Sequence, residues 1–335
     1  MLFDAVIIGS GPAGCAAAIR CHQGGLRTAI VPGSKACMVE EDLPSESIHP
    51  GVGTILKELD ASVCIAASSR GIYQGIQAGN NYTPLGADQS GAWSGNHINR
   101  TVFDAELLNC AGRRGVQILD SEEAADLIVE KERVLGLRTS TGKEITSTYV
   151  IDASGYRSFA GRKLRFRKKF FSPPLVTWTG VSAYTTNEPE QNTPGFHPNP
   201  AGWTWIAPER GNRCTWTRLA LKGRHDFLPP DELRHLPLMG KIKTSNRRWQ
   251  VFRPVCREGV ILCGDAAGII DPAAGQGILN ALLSGMMAAK AVHSIVNNPG
   301  YEAFHLAAYD DWFLRNYMDK VEKLKGFYAL HNISI

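Results

Sequence analysis

The sequence predicts an α/β fold in which a mostly parallel, helix-flanked sheet is joined to a second, antiparallel sheet and to C-terminal helices. Three observations carry this expectation. An apolar run enters a glycine triplet at the N-terminus. Two further apolar runs, near residues 149–151 and 259–263, also end in glycine-rich turns. Residues 165–254 instead alternate Trp, Thr, Val and Phe with polar positions between Pro and Gly turns. Parallel strands covered on both faces read as unbroken apolar runs, whereas antiparallel strands with one wet face alternate, so the two patterns belong to two sheets.

At 335 residues, with 44% hydrophobic and 20% charged, the chain can bury a large core in one or two domains. A net charge of +4 is too small to indicate nucleic acid. The local basic run Arg162, Lys163, Arg165, Arg167, Lys168 and Lys169 reads first as a solvated face. The eight cysteines (15, 21, 37, 64, 110, 214, 256 and 263) form no Cys-x-x-Cys pair and no ligand cluster. Several lie in apolar segments, so reduced thiols and no metal site are expected. No charged n-region precedes an apolar h-region, and no later stretch is expected to be long enough to span a bilayer. The resulting expectation is a cytoplasmic protein with neither membrane nor nucleic-acid partner.

Taken in order, residues 3–14 read FDAVIIGSGPAG, a strand running into Gly9-x-Gly11-x-x-Gly14. Gly9 permits the tight turn, Gly11 lets backbone approach a pyrophosphate, and Gly14 lets the following helix pack on the strand, a Rossmann-like dinucleotide site. The phosphates belong on the helix N-terminus, where free N–H groups and the dipole favour negative charge. Residues 26–31 supply the second strand, but no carboxylate follows it for the ribose: the chain reads Ala29-Ile30-Val31-Pro32-Gly33-Ser34-Lys35. Either Ser34, Lys35, Glu40 or Glu41 takes that role, or the contact is lost. A turn over 45–51 leads into a helix with Val52, Ile55, Leu56 and Leu59 on one face. Residues 65–99 suit short strands and loops, 99–111 a helix, and 127–146 a meander that delivers Asp152-Ala153-Ser154-Gly155 to a strand end. After the antiparallel region comes Gly264-Asp265-Ala266-Ala267-Gly268, then a buried helix to about Val296, then one or two amphipathic helices.

In this order, Gly9 to Gly14, Asn99-Arg100-x-x-Phe103-Asp104, Asp152-Ala153-Ser154-Gly155-x-x-Ser158, Gly202-Trp203-Thr204-Trp205-Ile206-Ala207-Pro208 and Gly264-Asp265-Ala266 resemble the flavoprotein monooxygenase superfamily with the p-hydroxybenzoate hydroxylase fold. The likeness is narrower to its branch of flavin-dependent halogenases and geranylgeranyl reductases. It implies FAD as cofactor. It also implies an FAD-binding domain from residues 1–64, 100–160 and 255–300, a substrate domain from 65–99 and 161–254, and C-terminal helices over 301–335.

Within that frame Gly9, Gly11, Gly14, Ser34, Arg100, Gly264, Asp265, Pro272, Gly275, Gln276 and Gly277 are the expected cofactor contacts. Asp265 follows a strand and suits a ribityl hydroxyl, or else caps a helix. Arg100 suits the FAD phosphates or ribityl chain, or a surface salt bridge. Backbone N–H groups of Gly275, Gln276 and Gly277 open a helix and suit the anionic edge of the reduced ring, with Pro272 fixing the loop. His49, in Ser47-Ile48-His49-Pro50-Gly51, is the candidate general base and joins Gln276 as a candidate catalytic residue, although a His before Pro is also a common turn residue. Trp203 and Trp205 alternate onto one strand face and either line a substrate cavity or pack the second sheet.

Halogenases of this branch carry a catalytic lysine and an acidic, hydroxyl-bearing stretch beside the flavin glycine. Here that stretch is Pro272-Ala273-Ala274-Gly275-Gln276-Gly277 and the nearest lysine is Lys57, which disfavours halogenation. Residues 45–51, 278–289 and the Phe327-Tyr328 segment look most similar to flavoproteins that mature tryptophylquinone cofactors by hydroxylating a tryptophan in a partner protein. That likeness implies an FAD-dependent monooxygenase with a protein or peptide substrate and an external electron donor, NAD(P)H or a reductase. The alternatives are a small-molecule aromatic hydroxylase, a prenyl-lipid reductase of the geranylgeranyl reductase type, and a non-catalytic flavin-binding maturation factor.

Overall fold

The computed structural model describes residues 2–33, 43–89, 91–184, 193–221, 223 and 226–333. Its first sheet is built around the strand Leu2–Ile8, which pairs in parallel with Thr28–Val31 on one side and Glu144–Asp152 on the other. Val260–Leu262 then pairs in parallel with the end of Glu144–Asp152. Gln117–Ile118 extends the parallel edge, while Arg133–Thr139 and Ala124–Glu130 add an antiparallel meander on the far side. Tyr149, Val150, Ile151, Val260, Ile261 and Leu262 are all fully buried, as their unbroken apolar runs require.

Among the described residues seven α-helices surround and connect the sheets: α1 (Pro12–Gln23), α2 (Gly51–Glu58), α3 (Val63–Ser68), α4 (Arg100–Arg113), α5 (Phe159–Lys163), α6 (Gly277–Asn297) and α7 (Glu302–Leu330). α1 starts on Pro12, whose fixed φ suits a first helical position, and continues through small residues that let another helix approach. α4 starts where the Asn99 side chain accepts from the N–H groups of Thr101 and Val102 at 3.1 and 3.3 Å. α3 is a departure from expectation, since its residues fall partly in the segment read as strands and loops.

α6 corrects another expectation. Its 21 residues are apolar and long enough to cross a membrane by length and composition. Ile278, Leu282, Gly285, Ala288, Ala289, Val292 and Ile295 are nevertheless buried within the fold, so packing accounts for the apolarity. α7 is a single helix of 29 residues, with buried Leu306, Tyr309, Phe313, Tyr317, Val321, Leu324 and Tyr328 recurring every three or four positions on one face.

The second sheet runs in the order Leu238–Arg247, Leu175–Ala183, Arg213–Leu221, Gly202–Pro208, Gly195–Asn199, Gly75–Ala78 and Asn81–Pro84. It is antiparallel except for the parallel contact of Gly195 with Gln77. The basic strand Arg167–Phe170 stands outside it, in a small sheet with Gln250–Arg253 and Gly268–Ile269. A further small sheet joins Glu46–Ile48, Gly95–Ile98 and Ser69–Tyr73.

Helices α1 and α6 meet at backbone distance, because a Cβ placed on Gly285 would lie 2.1 Å from the Ala13 carbonyl oxygen. The Gly285→Ala variant is therefore expected to push the helices apart and lose about 1 to 3 kcal/mol of stability, the usual cost of overpacking. Reversible denaturant unfolding checks this against the wild type.

Candidate functional site

Three glycine-bearing loops leave the same edge of the first sheet. Ile8, Asp152 and Leu262 lie side by side at the ends of parallel strands. Backbone bonds then tie the loops together: Ala153 N–H donates to Ile8 O, and Cys263 N–H to Asp152 O, each at 2.9 Å. Gly9 adopts φ +106°, and a Cβ there would strike the Ala153 carbonyl oxygen at 2.5 Å. A Cβ on Gly14 would strike the Gly9 oxygen at 2.0 Å, whereas Gly11 faces open space within 4 Å. The first and third glycines thus serve close packing and the middle one leaves the backbone accessible, as the motif demands. Gly264 (φ +58°) would place a Cβ 2.9 Å from the Cβ of Ala13, so the third loop closes on the start of α1.

Asp152 is fully buried and organises the middle loop: one carboxylate oxygen accepts from the Ser154 N–H and hydroxyl, the other from the Ala160 N–H at 2.7 Å. Ser158, held in a left-handed conformation, donates to the Ala266 carbonyl at 2.7 Å and links the middle loop to the third.

Asp265 is solvent-accessible at this edge, yet deep enough that desolvation raises its carboxyl above the usual range. The charges of Arg247 and Arg100 pull it back, and Glu46 opposes them. Arg247 was not read from the sequence: it ends a strand of the second sheet, and its Nε is buried without a hydrogen-bond partner. Arg100 is committed elsewhere. Its guanidinium binds both oxygens of Glu46 at 2.9 and 3.0 Å and Asp104 at 2.7 Å, which keeps it charged against burial and makes the ion pair, rather than a bare phosphate ligand, what the structure shows. Ser34 lies outside the described residues.

Pro272 begins a one-turn 3-10 helix capped by Asp271, and Gly275 follows at φ +60°. No side chain caps α6 at Gln276, and both Gly275 and Gly277 face open space. The uncapped N-termini of α1 and α6 leave backbone N–H donors for an anionic ligand, and Gly264 lies beside both Ala13 and Ala281. These donors, with the carboxylate of Asp265, fit the pyrophosphate, ribityl chain and ring edge of FAD.

The turn carrying His49 packs against α6: a Cβ on Gly51 would lie 3.5 Å from Leu279. The turn also fixes the tautomer of His49. Its Nδ1 accepts the Gly51 N–H at 3.0 Å, so the proton sits on Nε2 and the free face of the ring is a donor. Burial also lowers its pKa, which keeps it neutral. Trp205 is half-buried and remains a candidate cavity wall, with its indole N–H on the Ser47 hydroxyl at 3.1 Å. Trp203 is corrected to a core residue. It is 3% exposed, packs on Phe196, and donates to the Tyr328 hydroxyl at 2.7 Å.

That hydroxyl in turn donates to buried Asp271 at 2.6 Å, and the Trp249 indole donates to the same oxygen at 3.2 Å. The loop beneath the expected flavin is therefore pinned to α7 and to the antiparallel region through one carboxylate. A separate groove of about 480 Å³ opens near α2, lined by Ile65, Ala66 and Ile72 together with Lys57 and Arg210.

Replacing Asp265 with Ala removes a charge-assisted hydrogen bond and is expected to weaken FAD binding by about 1.5 to 3 kcal/mol, measured by flavin fluorescence titration. Tyr328→Phe leaves the Trp203 indole unpaired and is expected to cost about 1 to 3 kcal/mol of folding stability, read by thermal or denaturant unfolding.

Comparisons with known proteins agree with this geometry. The tryptophan halogenase family model matches residues 74–333, and an FAD-binding domain model matches residues 4–38. The chain is 26% identical over 324 residues to digeranylgeranylglycerophospholipid reductase of Methanoculleus marisnigri, covering 88% of this chain and 77% of that one. It is 27% identical over 333 residues to the reductase of the same name from Methanothrix thermoacetophila, covering 92% and 82%. Among solved structures, the flavin-dependent brominase Bmp2 superposes with a TM-score of 0.85 at 20% identity, covering 99% and 88%. A geranylgeranyl bacteriochlorophyll reductase-like protein from Thermoplasma acidophilum gives 0.78 at 20% identity, covering 100% and 92%. The fold, the cofactor and the matched family now coincide: this chain belongs to the tryptophan halogenase family and is an FAD-dependent oxidoreductase.

Proposed function

We propose that this enzyme is a reductase of the prenyl-lipid type, saturating isoprenoid double bonds in a lipid that bears an anionic head. The observation that carries this reading is the alignment with digeranylgeranylglycerophospholipid reductases of several archaea, which spans 87 to 98% of the chain at 24 to 27% identity. The groove near α2 supports it, since apolar Ile65, Ala66 and Ile72 suit an isoprenoid and Lys57 and Arg210 suit a phosphate. Bound FAD, once reduced by an external donor, NAD(P)H or a reductase, would supply a hydride.

The chain's own residues do the rest. The N-termini of α1 and α6 and the carboxylate of Asp265 hold and orient the cofactor. The His49 Nε2–H is a neutral donor, and the Trp205 indole is tied to Ser47, two residues before it.

A second reading rests on the likeness of residues 45–51, 278–289 and the Phe327-Tyr328 segment to flavoproteins that mature tryptophylquinone cofactors. In it the enzyme hydroxylates a tryptophan of a partner protein during quinone cofactor maturation, and the exposed basic strand Arg167–Phe170 contacts an acidic partner.

The electron acceptor separates the two. Reduced holoenzyme mixed anaerobically with an unsaturated archaeal-type prenyl phospholipid is expected to return to oxidised flavin while the lipid gains hydrogen across its double bonds, read by mass spectrometry. Flavin that stays reduced with the lipid, but is reoxidised by oxygen with transfer of an oxygen atom to a tryptophan-containing partner, replaces the first reading by the second.

A further inference from the structure

Charge is distributed unevenly over this chain. Residues 153–184 hold seven Lys and Arg and residues 233–257 hold seven more, with no Asp or Glu in either stretch. Elsewhere 22 Lys and Arg are outnumbered by 32 Asp and Glu, so a net charge of +4 conceals an acidic body with one basic region. The fold brings the two basic stretches together as neighbouring strands. Arg167–Phe170 pairs antiparallel with Gln250–Arg253, which sets Arg167 directly opposite Arg253, and Leu175 stands opposite Arg247. Like charges opposite one another weaken a sheet, so stability alone does not account for this arrangement.

All four residues of Arg167–Phe170 are exposed, as are Arg248 and Arg253. The cations rest on aromatic rings: Lys168 over Phe252 at 5.0 Å, Lys169 over Phe171 at 5.1 Å and Arg248 over Phe170 at 4.0 Å. A ring holds a cation in place without cancelling its charge. Among the described residues no carboxylate pairs with Arg167, Lys168, Lys169, Arg248 or Arg253, whereas Lys163, on α5, does meet Asp126 at 3.2 Å. The region is continuous with the cofactor edge. Gln250–Arg253 pairs on its other side with Gly268–Ile269, which directly continues the loop carrying Asp265, and the Phe252 N–H donates to the Ala267 carbonyl at 2.9 Å. With neighbouring strands about 4.8 Å apart, Arg167–Phe170 runs about 10 Å from Gly268. Arg247, beside Arg248, is the cation whose charge acts on Asp265.

We propose that this basic face docks a small acidic electron-carrier protein, which reduces the FAD held at the adjoining edge. The proposal rests on the flavin-enzyme reading and on neither substrate. Charge complementarity selects the class of partner. Position selects its task, because electrons pass only over short separations and this face lies two strands from the cofactor loop. A bilayer suits the face less well. Membrane-binding faces offer free apolar side chains beside their cations, and here Phe170, the apolar side chain of the strand, lies under Arg248. In the transfer two carriers are each oxidised by one electron. FAD takes both electrons with one proton from solvent and becomes the anionic reduced form, and no bond to the carrier forms.

The probe is flavodoxin, a small acidic FMN protein, added to the FAD-loaded enzyme. Oxidised flavodoxin is expected to bind at low salt, measured by calorimetry, and to be released at about 1 M salt, where the Debye length is about 3 Å. Arg167→Glu places opposite charges across the pair with Arg253, so it is expected to keep the fold and the flavin content while weakening this binding about tenfold. Lys323→Glu changes the net charge equally on the exposed side of α7 and is expected to leave binding unchanged. Reduced flavodoxin, mixed anaerobically, is expected to pass electrons to the wild type, and about tenfold more slowly to Arg167→Glu. The transfer is read by the long-wavelength absorption that flavodoxin gains on losing one electron. Absence of salt-sensitive binding, or equal binding by Arg167→Glu, overturns the docking face. Binding without electron delivery overturns the carrier, and adherence to phosphatidylglycerol vesicles in place of flavodoxin overturns it in favour of a membrane. A wild-type protein that takes up no FAD, visible in its absorption spectrum before any mixing, overturns the flavin-enzyme reading instead.

Discussion

The site exists because three strands far apart in sequence end at the same level of one parallel sheet. Ile8, Asp152 and Leu262 stand in register, and parallel register forces the loops that follow them to emerge on the same edge. The glycines then let those loops approach one another at distances no side chain would permit, as at Gly9 against Ala153 and Gly264 against Ala13. The helix N-termini, the Asp265 carboxylate and the Asp152 cluster inherit their positions from that alignment. This is the rule for open α/β sheets, where ligands collect outside the carboxyl ends of the strands.

A second constraint sets the floor of the site. Asp271 accepts from Tyr328, Trp249 and the Ala273 N–H, so a single buried carboxylate joins α7, the antiparallel region and the Pro272 turn. Its pKa is raised by burial, with the donors from Tyr328, the Ala273 backbone, Trp249 and Trp203 opposing the rise. Such a network is costly when partly satisfied and specific when complete, because removing any member strands the others away from water.

What was legible in the sequence had local causes. The roles of Gly9, Gly11 and Gly14 depend on residues within a few positions, and the apolar runs at 149–151 and 259–263 report burial directly. The helix that begins near Asn99 and the amphipathic character of the C-terminal segment follow from spacing alone. What was not legible depended on distant partners. Arg100 meets Glu46 across 54 positions and Trp203 meets Tyr328 across 125, and nothing near either residue signals the pairing. The tautomer of His49 was hidden for a subtler reason: the turn it sits in supplies an N–H to its own ring, a geometric detail that Ser47-Ile48-His49-Pro50-Gly51 does not display. Asp271 preceding Pro272 was the one local hint of the carboxylate network, as a side-chain cap before a helical turn.

The close seating of α1 on α6 has a consequence for biogenesis. The small buried face of α1 is complete early in synthesis, but the helix that covers it, and the strand Val260–Leu262 that completes the sheet edge, emerge from the ribosome only much later. Until then the nascent N-terminal unit exposes an apolar helix face and an unfinished sheet edge, the kind of surface that chaperones bind and that aggregates when left alone. A fold closed by a distal segment therefore completes its cofactor-binding edge only once α6 has docked on α1.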